Sequence, residues 1–163
     1  MVGLTSVTPI QRKIVLLSAS GAGVGYFPFF PGTMGTLIAI PVSIALNRLA
    51  SLSITLAVLV LVMAIYCAIT LSSKACEILG QKDPQIIVID EIVGFLLANF
   101  AARPRISVLL ISFILFRSFD IAKVFPASRL EQLPGGLGVV LDDVMAGIYT
   151  FAIMQLLVAE GMV

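Results

Sequence analysis

The sequence predicts an all-α fold, a polytopic helical bundle integral to a membrane, and three observations carry that expectation. Hydrophobic residues fill 60% of the 163 positions and charged residues only 12%, with a mean hydropathy of +1.13, so lipid rather than water is the dominant solvent. Apolar segments of roughly membrane length recur along the chain. The few ionisable residues within or at the edge of those segments fall into three groups: Asp90 and Glu91; Arg117, Asp120 and Lys123; Asp142 and Asp143. We expect one membrane-embedded domain over residues 1–163.

Taken in order, the segment from Ile14 to Phe30 is apolar but broken by Gly21, Gly23, Gly25 and Pro28, which suits an interfacial or re-entrant segment better than a span. The basic pair Arg12 and Lys13 comes late and leads into those glycines, unlike a cleaved signal, so the N-terminus is expected to be retained. Met34 to Leu46 is a short span that holds Pro41 and needs Gly32 and Thr33 to complete its length. Leu52 to Leu71 is the clearest span, uncharged over about 20 residues. Ile86 to Ala102, Ile106 to Phe119 and Val139 to Ala159 follow, joined tightly at Arg103 to Arg105 and by a polar connection through Glu131 to Gly138. About five transmembrane helices result.

Counting Lys and Arg in alternate connections of that bundle gives seven on one side (Arg12, Lys13, Lys74, Lys82, Arg117, Lys123, Arg129) and three on the other (Arg48, Arg103, Arg105). The richer side is expected to face the cytoplasm. The same topology brings Thr33, Asp90, Glu91, Arg117 to Lys123, Asp142 and Asp143 to the cytoplasmic interface.

Composition removes several function classes. A net charge of +1 with no basic run beyond Arg12 and Lys13 gives no reason to expect a nucleic-acid partner. The chain has no histidine, which removes Ser-His and Cys-His nucleophiles and imidazole zinc sites. Cys67 and Cys76 lack a metal-ligand spacing and read as small hydrophobes.

Charge inside a membrane is expensive and usually marks a functional site. Five carboxylates face two cations among the seven ionisable residues, and a divalent cation would fill the deficit. Arg117, Asp120 and Lys123 are three residues apart and share one helix face. Gly94 follows Glu91, and Ala146 and Gly147 follow Asp143, at one helical turn, where small residues let helices approach closely. The alternative is a set of interhelical salt bridges, such as Arg117 with Asp142 and Lys123 with Glu91, that leaves the surplus acids unpaired.

Oxygen ligands at a membrane surface suit Mg²⁺, and magnesium usually accompanies phosphate chemistry. Pro31-Gly32-Thr33-Met34-Gly35 places flexible backbone and a hydroxyl at a helix start, where N–H groups favour an anion. Alone it is a turn and cap signal; facing the acids it becomes a candidate phosphate site of Gly32, Thr33 and Gly35 with Arg117 and Lys123. The run Gly21 to Gly25 lacks the last glycine of a dinucleotide fingerprint, where Tyr26 stands, and reads as a re-entrant turn. Gly135-Gly136-Leu137-Gly138 has no G-K-[ST] and is expected to let the loop before Asp142 approach the site.

Pro31-Gly32-Thr33-Met34-Gly35, Asp90-Glu91-x-x-Gly94, Phe116-Arg117-x-x-Asp120-x-x-Lys123-x-x-Pro126, and Gly135-Gly136-x-Gly138-x-x-x-Asp142-Asp143-x-x-Ala146-Gly147 together resemble the phosphatidylglycerophosphatase A family. The resemblance runs from about Gly21 to Met154. It implies a multi-pass enzyme of the bacterial inner membrane that uses Mg²⁺ to remove the terminal phosphate of phosphatidylglycerophosphate, with a cytoplasmic-leaflet substrate that fits the counted topology. We expect Asp90, Glu91, Asp142 and Asp143 to hold one or two Mg²⁺ ions, with Asp143 needed for turnover. Arg117, Lys123 and the Thr33 hydroxyl are expected to stabilise the equatorial phosphate oxygens. Asp120, between two cations, is expected to orient water, form an aspartyl-phosphate or act as a metal ligand.

Two other classes compete. A small cation transporter also places carboxylates in a membrane bundle, but near the midplane and often in repeated halves, and no repeat is seen here. A CDP-alcohol phosphotransferase would need a D-G-x2-A-R-x8-G-x3-D-x3-D pattern that the chain lacks. The sequence sets no oligomeric state.

Overall fold

The computed structural model describes residues 8–163. Seven α-helices follow in order: α1 (Pro9–Ala19), α2 (Pro31–Leu52), α3 (Ile54–Leu79), α4 (Ile89–Ala98), α5 (Ile106–Ala122), α6 (Ala127–Leu130) and α7 (Gly136–Ala159), with a 3-10 turn at Val24–Tyr26. No strand occurs among the described residues. The all-α expectation holds.

Local chemistry sets the helix ends. Thr8 and Gln11 form a capping box ahead of Pro9, and Ser53 starts α3 by accepting the Leu56 N–H at 3.3 Å. The α2 helix runs through Pro41 without a break. Lys123, a left-handed residue (φ 45°), ends α5 before Pro126 is reached.

Three helices, α2, α3 and α7, are long and apolar enough to cross a membrane. The expected count of five is not met by length. The α4 helix has 10 residues, a rise of about 15 Å, and the 17 residues of α5 reach about 26 Å against a hydrocarbon core of about 30 Å. Packing explains how a short α4 suffices. It lies against α2, α3, α5 and α7, and the non-helical backbone that leads into it at Ile87 and Val88 is covered by protein, where such backbone is tolerated at membrane depth. The α1 helix, at 11 residues, is too short to cross and presents Ile10, Ile14 and Leu17 outward, in keeping with an interfacial segment.

The α3 helix presents Leu56, Val58, Leu59, Val60, Val62, Met63 and Tyr66 outward. Between helices the core is small or aromatic. Ala39, Ala57, Ala68, Ala75 and Ala146 are fully buried, and Phe95 meets Phe116 edge to face at 6.0 Å. The expected close approach of α4 and α7 is present. A Cβ on Gly94 would lie 2.8 Å from the Asp143 carbonyl oxygen, and one on Gly147 would lie 2.5 Å from the Gly94 carbonyl oxygen, so glycine is what brings these backbones together.

At the C-terminal end of α4 a neutral polar network ties two other helices, α2 and α5, to it. Asn47 on α2 donates to the Asn99 carbonyl at 2.8 Å, Asn99 donates to Ser43 at 3.2 Å, and Ser112 on α5 donates to Asn99 at 3.4 Å. The opposite end of α4 holds the acids.

Candidate active site

The starts of α2, α4 and α7 and the end of α5 meet at one end of the bundle, around a cavity of about 400 Å³. Six carboxylates (Asp83, Asp90, Glu91, Asp120, Asp142, Asp143) and two cations (Arg117, Lys123) line it, with Pro31 and Gly32 closing one side.

Three acids converge. Asp90, Glu91 and Asp143 each bring one carboxylate oxygen within 4.8 Å of the other two. Asp90 is 7% exposed and Asp143 3%, and Asp90 Oδ1, Glu91 Oε2 and Asp143 Oδ1 have no hydrogen-bond partner. Such atoms are costly to bury unless something binds them. An all-oxygen donor set with unpartnered buried lone pairs fits a hard divalent cation.

Asp142 is built differently. Adjacent helical residues point about 100° apart, and Asp142 turns to Lys123, which donates to it at 2.7 Å, while its other oxygen accepts the Asp143 N–H at 3.0 Å. The expected four-acid cluster is therefore three acids plus one engaged by a lysine. The ion pairs also differ from the alternative weighed from sequence. Arg117 pairs with Asp120 one turn on and lies 3.9 Å from Glu91, whereas Lys123 pairs with Asp142 and, at 2.9 Å, with Glu131. Partial burial opposes the Lys123 charge, but hydrogen bonds to Asp142 and Glu131 outweigh it and hold the ammonium above the ordinary lysine range.

Of the residues expected around phosphate, Gly32, Arg117 and Lys123 line the cavity, and Thr33 and Gly35 do not. Gly35 lies one turn deeper, where a Cβ would come 2.8 Å from Val88 Cβ; it serves packing. A Cβ on Gly32 would overlap the Glu91 carboxylate, so any larger residue there displaces Glu91. The expected role of the Gly135 to Gly138 run also changes. Gly136 lies on the α3 backbone and donates to Ser73 Oγ at 3.0 Å, and Gly138 makes room for the carbonyls of Glu131 and Leu133.

Sequence reasoning missed Asp83 and Glu131. Both sit in polar connections, where a charge is ordinary and carries no signal.

The family model described as Phosphatidylglycerophosphatase A matches residues 17–158. A Bacteroides thetaiotaomicron protein provisionally named a phosphatidylinositol-3-phosphatase is 37% identical over 145 residues, 85% of this chain and 90% of its own. Two proteins named Phosphatidylglycerophosphatase A are also similar. That of Haemophilus influenzae is 35% identical, covering 93% of this chain and 95% of its own, and that of Escherichia coli is 31% identical, covering 85% and 80%. No solved structure matches the chain at a significant level.

Proposed function

The chain belongs to the phosphatidylglycerophosphatase A family and is a phosphatase, and on that premise we propose that it hydrolyses phosphatidylglycerophosphate to phosphatidylglycerol and inorganic phosphate, using Mg²⁺ at the cytoplasmic face of a bacterial inner membrane. The observation that carries this reading is the cluster of Asp90, Glu91 and Asp143, whose buried oxygens lack partners beside Arg117 and the start of α2.

Asp90, Glu91 and Asp143 would hold Mg²⁺, which when bound supplies Lewis-acid stabilisation of phosphate oxygens and a more acidic water. The chain's own groups bind and orient the phosphomonoester. The N–H group of Gly32, in the first turn of α2, has no intrahelical acceptor and favours an anion. Arg117 offers its planar guanidinium to the equatorial oxygens, where charge spreads in a loose transition state. Lys123 uses two of its three donors on Asp142 and Glu131, leaving the third for phosphate.

Asp120, fixed by Arg117, acts on the phosphorus by one of two routes. Either it orients the attacking water, or its carboxylate attacks and water then cleaves the aspartyl-phosphate. In both, the ester P–O bond breaks, the lipid alcohol leaves with a proton, and water supplies the fourth oxygen of inorganic phosphate. Acid quench during turnover of ³²P-labelled lipid separates them. A labelled adduct lost in Asp120→Asn establishes the covalent route, and no adduct favours water attack.

Seven of the ten Lys and Arg residues fall on the site's side of the alternating helices, and Arg48, Arg103 and Arg105 on the other, which supports a cytoplasmic site. A cation transporter fits poorly, because the acids gather at one end of the bundle rather than its middle. The direct test is phosphate release from phosphatidylglycerophosphate in detergent micelles, with Mg²⁺ and with EDTA, beside Asp143→Asn. We expect release that EDTA abolishes and Mg²⁺ restores. The name of the Bacteroides relative makes a phosphatidylinositol 3-phosphate arm worthwhile; release from that lipid alone would overturn the headgroup assignment.

A further inference from the structure

We propose that an apolar groove beside the polar cavity receives one acyl chain of the lipid substrate, an inference that rests on the lipid-phosphatase reading. The groove, about 410 Å³, runs between the 3-10 turn (Val24, Tyr26, Phe27) and one face of α2 (Met34, Leu37, Ile38).

Continuity identifies the occupant. Pro28 lines both the groove and the acidic cavity, and α2 passes from one to the other. Gly32 at its start lines the cavity, and Met34, Leu37 and Ile38 line the groove, so the polar and apolar compartments follow each other over six residues, about 9 Å of helix. That sequence of a charged chamber opening into an apolar trough matches an amphiphile whose phosphate lies at Gly32 and whose chain runs along α2.

The outer wall is also held in place. Gly21 (φ 57°), Ala22 (φ 58°) and Gly23 (φ 97°) reverse the chain after α1, Val88 donates to the Ala19 carbonyl at 3.0 Å, and Gly25 abuts the Ile86 backbone so closely that no Cβ fits. The turn is thereby fastened to the segment that leads into Asp90. Tyr26, Phe27, Phe29 and Phe30 are exposed along its rim, aromatic residues of the kind that settle at a bilayer interface. A chain leaving the bilayer over this rim keeps apolar contact until its headgroup enters the cavity.

The test compares dioleoyl with dihexanoyl phosphatidylglycerophosphate in mixed micelles. Leu37→Trp, which fills the groove, is expected to lower the ratio of kcat/KM for the long chain over the short chain about tenfold, the equivalent of roughly two buried methylene groups. Leu59→Trp, on the outward face of α3, is expected to leave that ratio unchanged. An unchanged ratio in Leu37→Trp, or an equal fall in Leu59→Trp, would overturn the groove. A second measurement does not depend on that variant folding. Wild-type protein in EDTA is photolysed with phosphatidylglycerophosphate or phosphatidylcholine carrying a diazirine in the acyl chain. Severalfold enrichment of label at Met34 to Ile38 with the first lipid supports the groove, and equal labelling by both reduces it to ordinary bilayer contact. Absence of phosphate release at either chain length would instead refute the enzyme's assigned substrate, leaving the labelling result to stand or fall separately.

Discussion

At the Asn99 end of α4 buried polar side chains find one another, and at the Asp90 end three acids keep oxygens that find no partner. Asn99, Ser43, Asn47 and Ser112 form a hydrogen-bonded network that leaves only Asn47 Oδ1 unpartnered. At the opposite end of α4, Asp90, Glu91 and Asp143 each leave an oxygen unpartnered, and Arg117 leaves its Nε unpartnered. A satisfied buried network holds helices together. An unsatisfied one lowers stability, and its persistence at the mouth of a cavity marks groups arranged for something other than each other.

The comparison can be broken from either end. The largest effect is expected for Asp143→Asn. Phosphate release should fall by about a thousandfold, as with loss of an essential charged group, while the thermal midpoint holds or rises, since a buried charge with no partner is gone. A midpoint that dropped sharply would make Asp143 structural and erase the contrast. Gly32→Ala should come next, near a hundredfold in kcat, because its Cβ displaces the Glu91 carboxylate and a shift of about 1 Å can cost that much; magnesium titration should show weaker binding. At the other end, Asn99→Leu should cost about 1–2 kcal/mol in detergent unfolding, the loss of two interhelical hydrogen bonds, with kcat/KM within about twofold of wild type. The smallest effect is expected for Glu131→Gln, which leaves Lys123 with Asp142 alone. A partly exposed ion pair is worth about 0.2–1 kcal/mol, so KM should change less than about fivefold.

Much of this arrangement was legible in the sequence because lipid makes charge conspicuous. Asp90, Glu91, Arg117, Asp120, Lys123, Asp142 and Asp143 stood out against apolar neighbours, and all seven line one cavity. What escaped is what periodicity leaves undetermined. Thr33 and Gly35 belong to the same short motif as Gly32, but helical rotation and rise carry them away from the cavity, Gly35 into Val88. Asp142 and Asp143 read as a pair, yet the left-handed turn at Lys123 places its ammonium where it engages Asp142. Helix lengths were overread for α4 for a related reason. Its flanking apolar residues, among them Ile87 and Val88, are buried in protein, and hydropathy alone does not distinguish protein from lipid.

The brevity of α4 bears on how the protein is made. Ten residues that include two carboxylates in the first turn give a segment too short to span and carrying groups that oppose insertion. Such a segment is not expected to enter the bilayer by itself. It reaches its place with the help of α3 and α5, once its neighbours provide a protein lining, and glycosylation mapping of truncated chains should find the loop after α4 translocated only when α5 is present. Assembly of the acidic site would then be a late event in biogenesis, which keeps the uncompensated carboxylates out of the lipid until the helices that shelter them are in position.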